Sequence, residues 1–304
     1  MAEKMKKPIV VACLALLCCL LWGSAFPCVK IGYEWFNIAD TGSQLLFAGY
    51  RFTLAGILTF IIGSIIERRF LTMKQKAFPF IFAQGVLQTA IQYFCFYIGM
   101  AHTTGTKGSI INASNAFVSI VAAHFILKNE KMTSEKWLGC LLGIAGVITV
   151  NLVPGAWGSG FSLQGEGMVA LCAIAYGLST ITLKKISHMD SPITITAYQL
   201  LFGGAMLLLI GKEWGGTMER FTIPSMLLLL YMALISTVAF CIWATLVKYN
   251  QVSKIAVYTF SIPIFGVILS GIFLGESVLT IQNLLALVLV SGGIILINKA
   301  KNEH

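Results

Sequence analysis

The sequence predicts an all-α integral membrane protein, with ten transmembrane helices in two inverted five-helix repeats around a central cavity. Three observations predict this fold class. Only 11% of the 304 residues are charged, ten apolar runs follow one another along the chain, and the second half repeats the first. Soluble domains carry about 25% charged residues, so lipid is the expected solvent for most of this surface.

The apolar runs set the predicted spans. A helix that crosses the hydrocarbon core needs about 20 mainly apolar residues, and the gaps between the runs leave no room for a soluble domain. The first run is too long for the apolar core of a cleaved signal peptide, so it is predicted to be the first span. The runs are 9–30, 43–66, 78–100, 106–127, 135–152, 166–186, 193–211, 224–247, 253–274 and 279–297.

Lys and Arg residues are divided unequally between alternate loops. One side of the predicted membrane holds 16 of them, the other side holds 4, and Arg51 falls within a span. Loops rich in Lys and Arg stay in the cytoplasm, which predicts a multi-pass protein of the cell (inner) membrane with both termini cytoplasmic. The lipid bilayer is then its surroundings, and the scattered basic residues argue against nucleic acid as a partner.

The two halves of the chain also align with each other. At an offset of 146 residues, the third to fifth spans align with the eighth to tenth, so that Glu130 meets Glu276. The first span aligns with the sixth at an offset of 154. Each half holds an odd number of spans, so the halves enter the membrane in opposite senses, as in many secondary transporters. The predicted repeats are residues 1–155 and 156–304.

Short motifs occur in a fixed order along the chain: Leu21-Trp22-Gly23-Ser24-Ala25-Phe26 with Lys30, Tyr50-Arg51-Phe52, Lys128-Asn129-Glu130-Lys131, Pro263-Ile264-Phe265 and Leu274-Gly275-Glu276-Ser277. Together they resemble the EamA-type proteins of the drug/metabolite transporter superfamily, over nearly the whole chain. The resemblance implies two five-helix repeats around a central cavity, and export or exchange of amino acids, related metabolites or drugs. Phe117 stands at the first-half position of Pro263, which leaves open whether the fourth and ninth helices bend alike.

Polar side chains inside the spans are the candidate binding residues. Gln84, Gln88 and Gln92 recur at every fourth residue, which places them on one face of the third helix. A glutamine facing lipid would lack hydrogen-bond partners, so this stripe is expected either to line a solute cavity or to join helices, and both alternatives stay open. Inverted repeats hold the solute between equivalent positions of the two halves. The predicted substrate-binding residues are Trp22, Ser24, Gln88, Gln92, Tyr93, Asn112, Asn115, Tyr176, Trp243, Tyr258 and Ser261.

Charged and titratable groups are scarce inside the spans. None of the twelve Asp and Glu residues lies near the middle of a predicted span, and no P-loop or zinc-protease pattern occurs, so we expect no enzyme, no cofactor and no metal site. His124 lies near a span end and is expected to make a structural hydrogen bond, which leaves a coupling proton or ion open. Arg51 is expected to snorkel or to bind backbone carbonyls, with anion binding as the alternative.

The predicted function is secondary transport of a small-molecule substrate by alternating access. A cavity of amides, hydroxyls and aromatic rings without a central carboxylate suits a neutral or zwitterionic solute. Amino acids or related zwitterions are therefore the leading interpretation, with export favoured by the resemblance. The alternatives are a membrane channel or a multidrug/cation efflux protein, and then an intramembrane enzyme. The sequence leaves the oligomeric state open.

Overall fold

The protein was analysed as a computed structural model that describes residues 3–103, 105–127, 130–150, 162–275 and 281–299. Every regular element in these ranges is helical. Seven helical segments among the described residues are long and apolar enough to cross a membrane, judged by length and composition. The chain therefore has the build of a multi-pass membrane protein. The motif residues Lys128, Asn129, Glu276 and Ser277 lie outside the described ranges.

Each of the five predicted runs in the first half contains a helix. The third run is one helical rod whose middle turns are a π-helix, flanked by α3 and α4. The elements are α1 (Pro8–Trp35), α2 (Thr41–Glu67), α3 (Phe78–Gln84), the π-helix (Gly85–Ile91), α4 (Gln92–His102), α5 (Gly105–Ile126) and α6 (Ser134–Val150).

The second half is also helical in each predicted run. A short π-helix (Leu163–Gly167) leads into α7 (Met168–Ile186), and α8 (Pro192–Glu213) and α9 (Ile223–Tyr249) follow. The ninth run is divided into α10 (Val252–Ala256), a 3-10 helix (Val257–Ser261) and α11 (Ile262–Leu274), and α12 (Ile281–Lys299) comes last. The helices α5, α6 and α12 fall outside the set of seven long apolar segments.

Side chains satisfy the free backbone groups where several helices begin or end. The Asp40 carboxylate accepts a hydrogen bond from the Ser43 N–H at the start of α2, and Thr222 with Ser225 forms a capping box at the start of α9. After α8 the chain turns at Gly215, whose φ of +74° lies in the left-handed region. These caps occupy N–H and C=O groups that an apolar environment would leave unsatisfied.

The α2–α8 pair has the most extensive helix contact among the described residues. A Cβ atom added at Gly204 would lie 2.5 Å from the Thr53 backbone N, and one added at Gly49 would lie 2.5 Å from the Leu208 backbone N. Small residues let membrane helices approach closely enough for their backbones to touch. Gly139 of α6 follows the same rule, because it packs against the Gly293 carbonyl of α12.

The helix contacts come in reciprocal pairs. α2 packs on α8 and α6 packs on α12, which joins equivalent spans of the two halves. The α1–α11 contact has its counterpart in α5–α7, and the α1–α9 contact has its counterpart in α4–α7. The most extensive contacts between the two halves thus occur in pairs, as the predicted equivalence of the halves requires.

The expectation of a regular third helix is wrong, because Gly85–Ile91 forms a π-helix. Its wider turn breaks the fourfold spacing that would have placed the three glutamines on one face.

The ninth run is irregular around Pro263. Pro263 follows a 3-10 stretch and stands in the first turn of α11, whereas α5 is continuous through Phe117. Proline has no N–H to give to the Thr259 carbonyl, which accepts instead from the Ile262 N–H. The fourth and ninth helices therefore differ in shape.

We expect Gly204→Ala to lower the thermal unfolding midpoint of the detergent-solubilised protein. The new Cβ would press on Thr53 backbone atoms, and overpacking of this kind typically costs about 1–3 kcal/mol. The matched control is Gly292→Ala in α12, where a Cβ meets nothing within 4 Å. Equal midpoints for the two variants would contradict the close α2–α8 packing.

Candidate functional site

A small cavity of about 40 Å³ lies inside the bundle where α1, α2, α4, α5, α7 and α11 meet. It lies beside residues near the middle of α1 and α7, far from the helix ends. Its wall combines aromatic rings, three amides and one guanidinium, and no Asp or Glu belongs to it among the described residues. The lining residues are Trp22, Ala25, Phe26, Arg51, Gln92, Tyr93, Phe96, Asn112, Asn115, Tyr176 and Ile262.

Helical periodicity explains why these residues meet. Side chains three or four positions apart lie on the same face of an α-helix, and three helices each present one such face to the cavity. The groups are Trp22, Ala25 and Phe26 on α1, Gln92, Tyr93 and Phe96 on α4, and Asn112 and Asn115 on α5.

Trp22 forms the centre of an aromatic cluster at one end of the cavity. Its ring centroid lies 6.0 Å from that of Tyr176, 5.5 Å from Phe240 and 5.1 Å from Trp243, all in edge-on arrangements. The structure thus brings together the predicted pair Trp22 and Tyr176 from the two halves. The Trp22 Nε1 and the Tyr176 hydroxyl are buried and have no hydrogen-bond partner among the described residues.

The three amides of the wall differ in how they are satisfied. Asn115 Oδ1 accepts a hydrogen bond of 2.8 Å from the Thr259 hydroxyl, and Asn112 Oδ1 accepts a weak one of 3.5 Å from the Cys172 thiol. Gln92 Oε1 is buried without a partner among the described residues. Buried polar atoms are normally hydrogen-bonded, so Gln92 is the amide best placed to bind a solute or water.

Arg51 is the one cation in the wall, and its side chain is only 1% exposed. The expectation that it snorkels is wrong. Its Nε donates to the Met232 carbonyl and the Ser236 hydroxyl, both at 3.2 Å, and its Nη1 donates to the Tyr97 hydroxyl at 3.2 Å. The other expectation, a hydrogen bond to a backbone carbonyl, is confirmed by the Met232 contact.

Four other predicted binding residues lie outside the cavity wall. The Ser24 hydroxyl points to α9, where it pairs with the Tyr231 hydroxyl at 2.9 Å. Trp243 is fully buried behind Trp22. Tyr258 and Ser261 belong to the 3-10 helix and do not line the cavity. Their roles in solute binding remain predictions that the cavity geometry does not support.

Gln88 is also absent from the wall. Its Oε1 accepts from Gln84 Nε2, which donates in addition to the Ser179 carbonyl of α7. Gln84 Oε1 accepts from the Thr182 hydroxyl of the same helix. The predicted stripe therefore divides into two parts. Gln84 joins α3 to α7 and is hydrogen-bonded by Gln88 of the π-helix, whereas Gln92 faces the cavity.

The remaining lining residues carry weaker sequence signals. Ala25, Phe26, Phe96 and Ile262 were missed because they are ordinary apolar residues, although the first three lie one helical turn from Trp22 or Gln92. His124, the titratable candidate, is exposed, and its Nδ1 accepts from the Met132 backbone N–H at 3.0 Å. This hydrogen bond closes a turn after α5, as expected for a structural role.

Long apolar helices around a small cavity lined by aromatic rings, amides and a buried guanidinium have the build of a multi-pass membrane protein with a candidate solute site. The chain belongs to the EamA-like transporter family, whose model matches it twice, at residues 9–152 and 163–299.

Individual relatives are similar over most of the chain. The uncharacterized transporter YvbV of Bacillus subtilis (strain 168) is 26% identical, covering 92% of this chain and 88% of that protein. A protein of Salmonella typhimurium named "Probable amino-acid metabolite efflux pump" is 26% identical, covering 92% of both chains. A solved crystal structure matches the fold with a TM-score of 0.77 at 15% identity, over 94% of this chain and 95% of the other.

We expect Gln92→Leu to weaken solute binding and Gln88→Leu to lower thermal stability. Gln92→Leu removes a hydrogen-bonding group from the cavity wall, so the KM for solute uptake should rise about 3- to 10-fold with little change in thermal stability. Gln88→Leu removes the hydrogen bond that Gln88 Oε1 accepts from Gln84 Nε2. A hydrogen bond of this kind typically contributes about 1 kcal/mol, so the change should lower the unfolding midpoint and leave the KM unchanged. The interpretation fails if Gln88→Leu alters the KM and Gln92→Leu does not.

Proposed function

We propose that this protein is a secondary carrier of the cell (inner) membrane that exports or exchanges small organic metabolites, above all amino acids or related zwitterions, by alternating access. The observation that carries the proposal is the cavity between helices of both halves, whose wall combines aromatic rings, three amides and Arg51. Secondary transporters bind their solute at such a site near the midplane. Membership of a transporter family supports the same reading.

Ten membrane helices in two inverted repeats are the proposed architecture. The reciprocal helix contacts support it, because the most extensive contacts between the halves are retained when the halves are exchanged. The family model also matches two consecutive stretches of similar length, 9–152 and 163–299. In this arrangement residues 1–155 and 156–304 are the two repeats, and α5, α6 and α12 complete the set of spans.

Two equivalent lysines give further support. Lys30 on α1 donates to the carbonyls of Met100 and Thr103 where α4 ends. Lys184, its partner at the offset of 154, donates to carbonyls where α9 ends, including that of Val247 at 2.8 Å. Lysines near a helix C-terminus bind the last free carbonyls and interact favourably with the helix dipole. The same contact at equivalent ends of both halves is expected from an inverted repeat.

Alternating access is proposed because the cavity is too small to bind a metabolite as it stands. Small-molecule sites typically enclose about 300–1,000 Å³, against about 40 Å³ here. The helices must therefore separate to admit a solute. The π-helix ends immediately before Gln92, and the 3-10 helix ends immediately before Ile262. Such irregular turns commonly mark functional sites or hinges, so these two points next to the cavity are the proposed places of bending.

The chemistry of the wall favours amino acids over cationic drugs. A cation would seek an acidic partner, and none belongs to the wall among the described residues. Amides, Trp22 and the tyrosines suit a solute with both polar and apolar parts. The Salmonella typhimurium relative is named for amino-acid metabolites, which agrees with this class. An ion or water channel is less well supported, since the cavity is narrow and largely aromatic.

Counterflow in proteoliposomes tests the carrier. We expect vesicles preloaded with an unlabelled amino acid from a panel of neutral ones to accumulate the labelled form with saturable kinetics. Uptake with and without a pH gradient then shows whether a proton is coupled.

Trp22→Ala should reduce counterflow at least tenfold by removing the central ring of the cavity wall. The matched control is Trp35→Ala on the exposed end of the same helix, which should retain it. Uptake that rises linearly with concentration and shows no counterflow would reject the carrier in favour of a channel.

The orientation of the chain gives a separate prediction. The 16-to-4 division of basic residues places both termini in the cytoplasm by the positive-inside rule. Green fluorescent protein fused to either terminus should fluoresce, because it folds in the cytoplasm and fails to fold after export as an unfolded chain. Alkaline phosphatase fused at the same points should be inactive. Fluorescence at one terminus only would refute an even number of spans.

A further inference from the structure

Arg51 is a cation buried beside the cavity without an acidic partner. We propose that Arg51 binds the carboxylate of the transported solute, so that the cargo is a carboxylate-bearing metabolite and not an amine or a neutral drug. The inference rests on the proposed carrier function and names the solute group that its site recognises. Three features support it: the hydrogen bonds that hold the guanidinium in place, its N–H groups that have no acceptor, and the polar groups of the cavity wall.

The guanidinium is held on one edge and free on the other. Its Nε–H is shared between the Met232 carbonyl and the Ser236 hydroxyl of α9, and one Nη1–H is given to Tyr97. A guanidinium has five N–H donors, so the remaining three, both on Nη2 and one on Nη1, have no acceptor among the described residues. These adjacent groups form the fork that binds a carboxylate in two parallel hydrogen bonds.

The charge of Arg51 is only partly compensated by the protein. Its Cζ lies 4.8 Å from the ring centroid of Phe52 and 5.9 Å from that of Tyr93, which gives a cation–π interaction with each ring. Among the described residues, the one ion pair within 4.0 Å joins Arg69 to Glu67 at the membrane edge. A buried cation without a counterion is costly. An anionic group of the solute would supply the missing charge.

Other unpartnered groups of the wall fit the rest of an amino acid. The Trp22 Nε1 can donate only, whereas Gln92 Oε1 can accept, and both are buried without partners among the described residues. A carboxylate at Arg51 could also accept from Trp22. Gln92 Oε1 and the Tyr176 hydroxyl remain as acceptors for an ammonium group. A zwitterion thus satisfies donors and acceptors that a simple hydrocarbon would leave unsatisfied.

Matched ligands test the site without altering the protein. The probes are L-alanine with L-alaninamide and propionate, and L-phenylalanine with L-phenylalaninamide and 3-phenylpropionate. Binding to the purified full-length protein is followed by tryptophan fluorescence and by thermal stabilisation. We expect at least one amino acid to bind, and its carboxamide to bind about 10- to 100-fold more weakly, because a charge-assisted hydrogen bond is lost. The propionate analogues separate a plain organic anion from a zwitterion as the cargo.

Ligand binding to Arg51 variants is the second part of the experiment. Arg51→Gln should reduce the preference for the acid over the amide to about threefold or less, and Arg51→Lys should restore part of it by keeping the charge. Arg69→Gln is the matched control, because Arg69 is exposed outside the bundle. Should Arg51→Gln not fold, the ligand series on the unaltered protein tests carboxylate recognition and Arg51→Lys tests the residue. Lysine lacks the planar fork, so an acid preference unchanged in Arg51→Lys would overturn the assignment to Arg51.

The outcomes separate this proposal from the carrier. Amide and acid that bind or exchange equally well overturn the carboxylate site and leave the carrier intact. Binding with a clear preference for the acid but without counterflow keeps the site and rejects the carrier. A preference that persists unchanged in Arg51→Gln overturns the assignment to this residue. Failure of every probe to bind or exchange overturns both proposals.

Discussion

The need to satisfy every polar group inside the protein governs this structure. Hydrocarbon offers no hydrogen bonds, so the chain forms helices and turns its polar side chains inward. Lys30 and Lys184 bind carbonyls at helix ends, and Gln84 joins two helices through Ser179 and Thr182. The glycines between α2 and α8 let the two backbones approach closely. The resulting van der Waals contacts hold the helices together, because the hydrophobic effect does not drive helix association in lipid.

Several buried polar groups lack a partner among the described residues, and three of them line the cavity. Trp22 Nε1, Gln92 Oε1 and the Tyr176 hydroxyl have no partners among the described residues, and Arg51 keeps unused N–H groups beside them. Such groups cost free energy in an empty apolar site. They become favourable when a solute with matching charges occupies it. The same residues that weaken the empty site therefore provide the affinity that the proposed carrier needs, and their pattern selects the solute.

The proposed transport cycle requires some helices to move while others remain together. The π-helix ends before Gln92 and the 3-10 helix ends before Ile262, so irregular helical turns lie next to the cavity. The backbone hydrogen bonds of such turns have poorer geometry than those of an α-helix. The α2–α8 contact, with backbone atoms against Gly49 and Gly204, leaves little room for sliding. This contrast suits a bundle in which the third and ninth spans change shape around a stable helix pair, as alternating access demands.

The sequence by itself determined the helices, their approximate ends and the membrane environment, because hydropathy and chain length decide these locally. It also indicated Trp22, Tyr176, Gln92, Tyr93, Asn112 and Asn115, all of which line the cavity. Only the tertiary structure decided which polar residues face one another. The π-helix separated Gln88 from Gln92, and the bundle buried Arg51 at the wall when its sequence position also allowed snorkelling. Sequence spacing assumes a regular helix and cannot say which neighbour each face meets, since that depends on packing between distant spans.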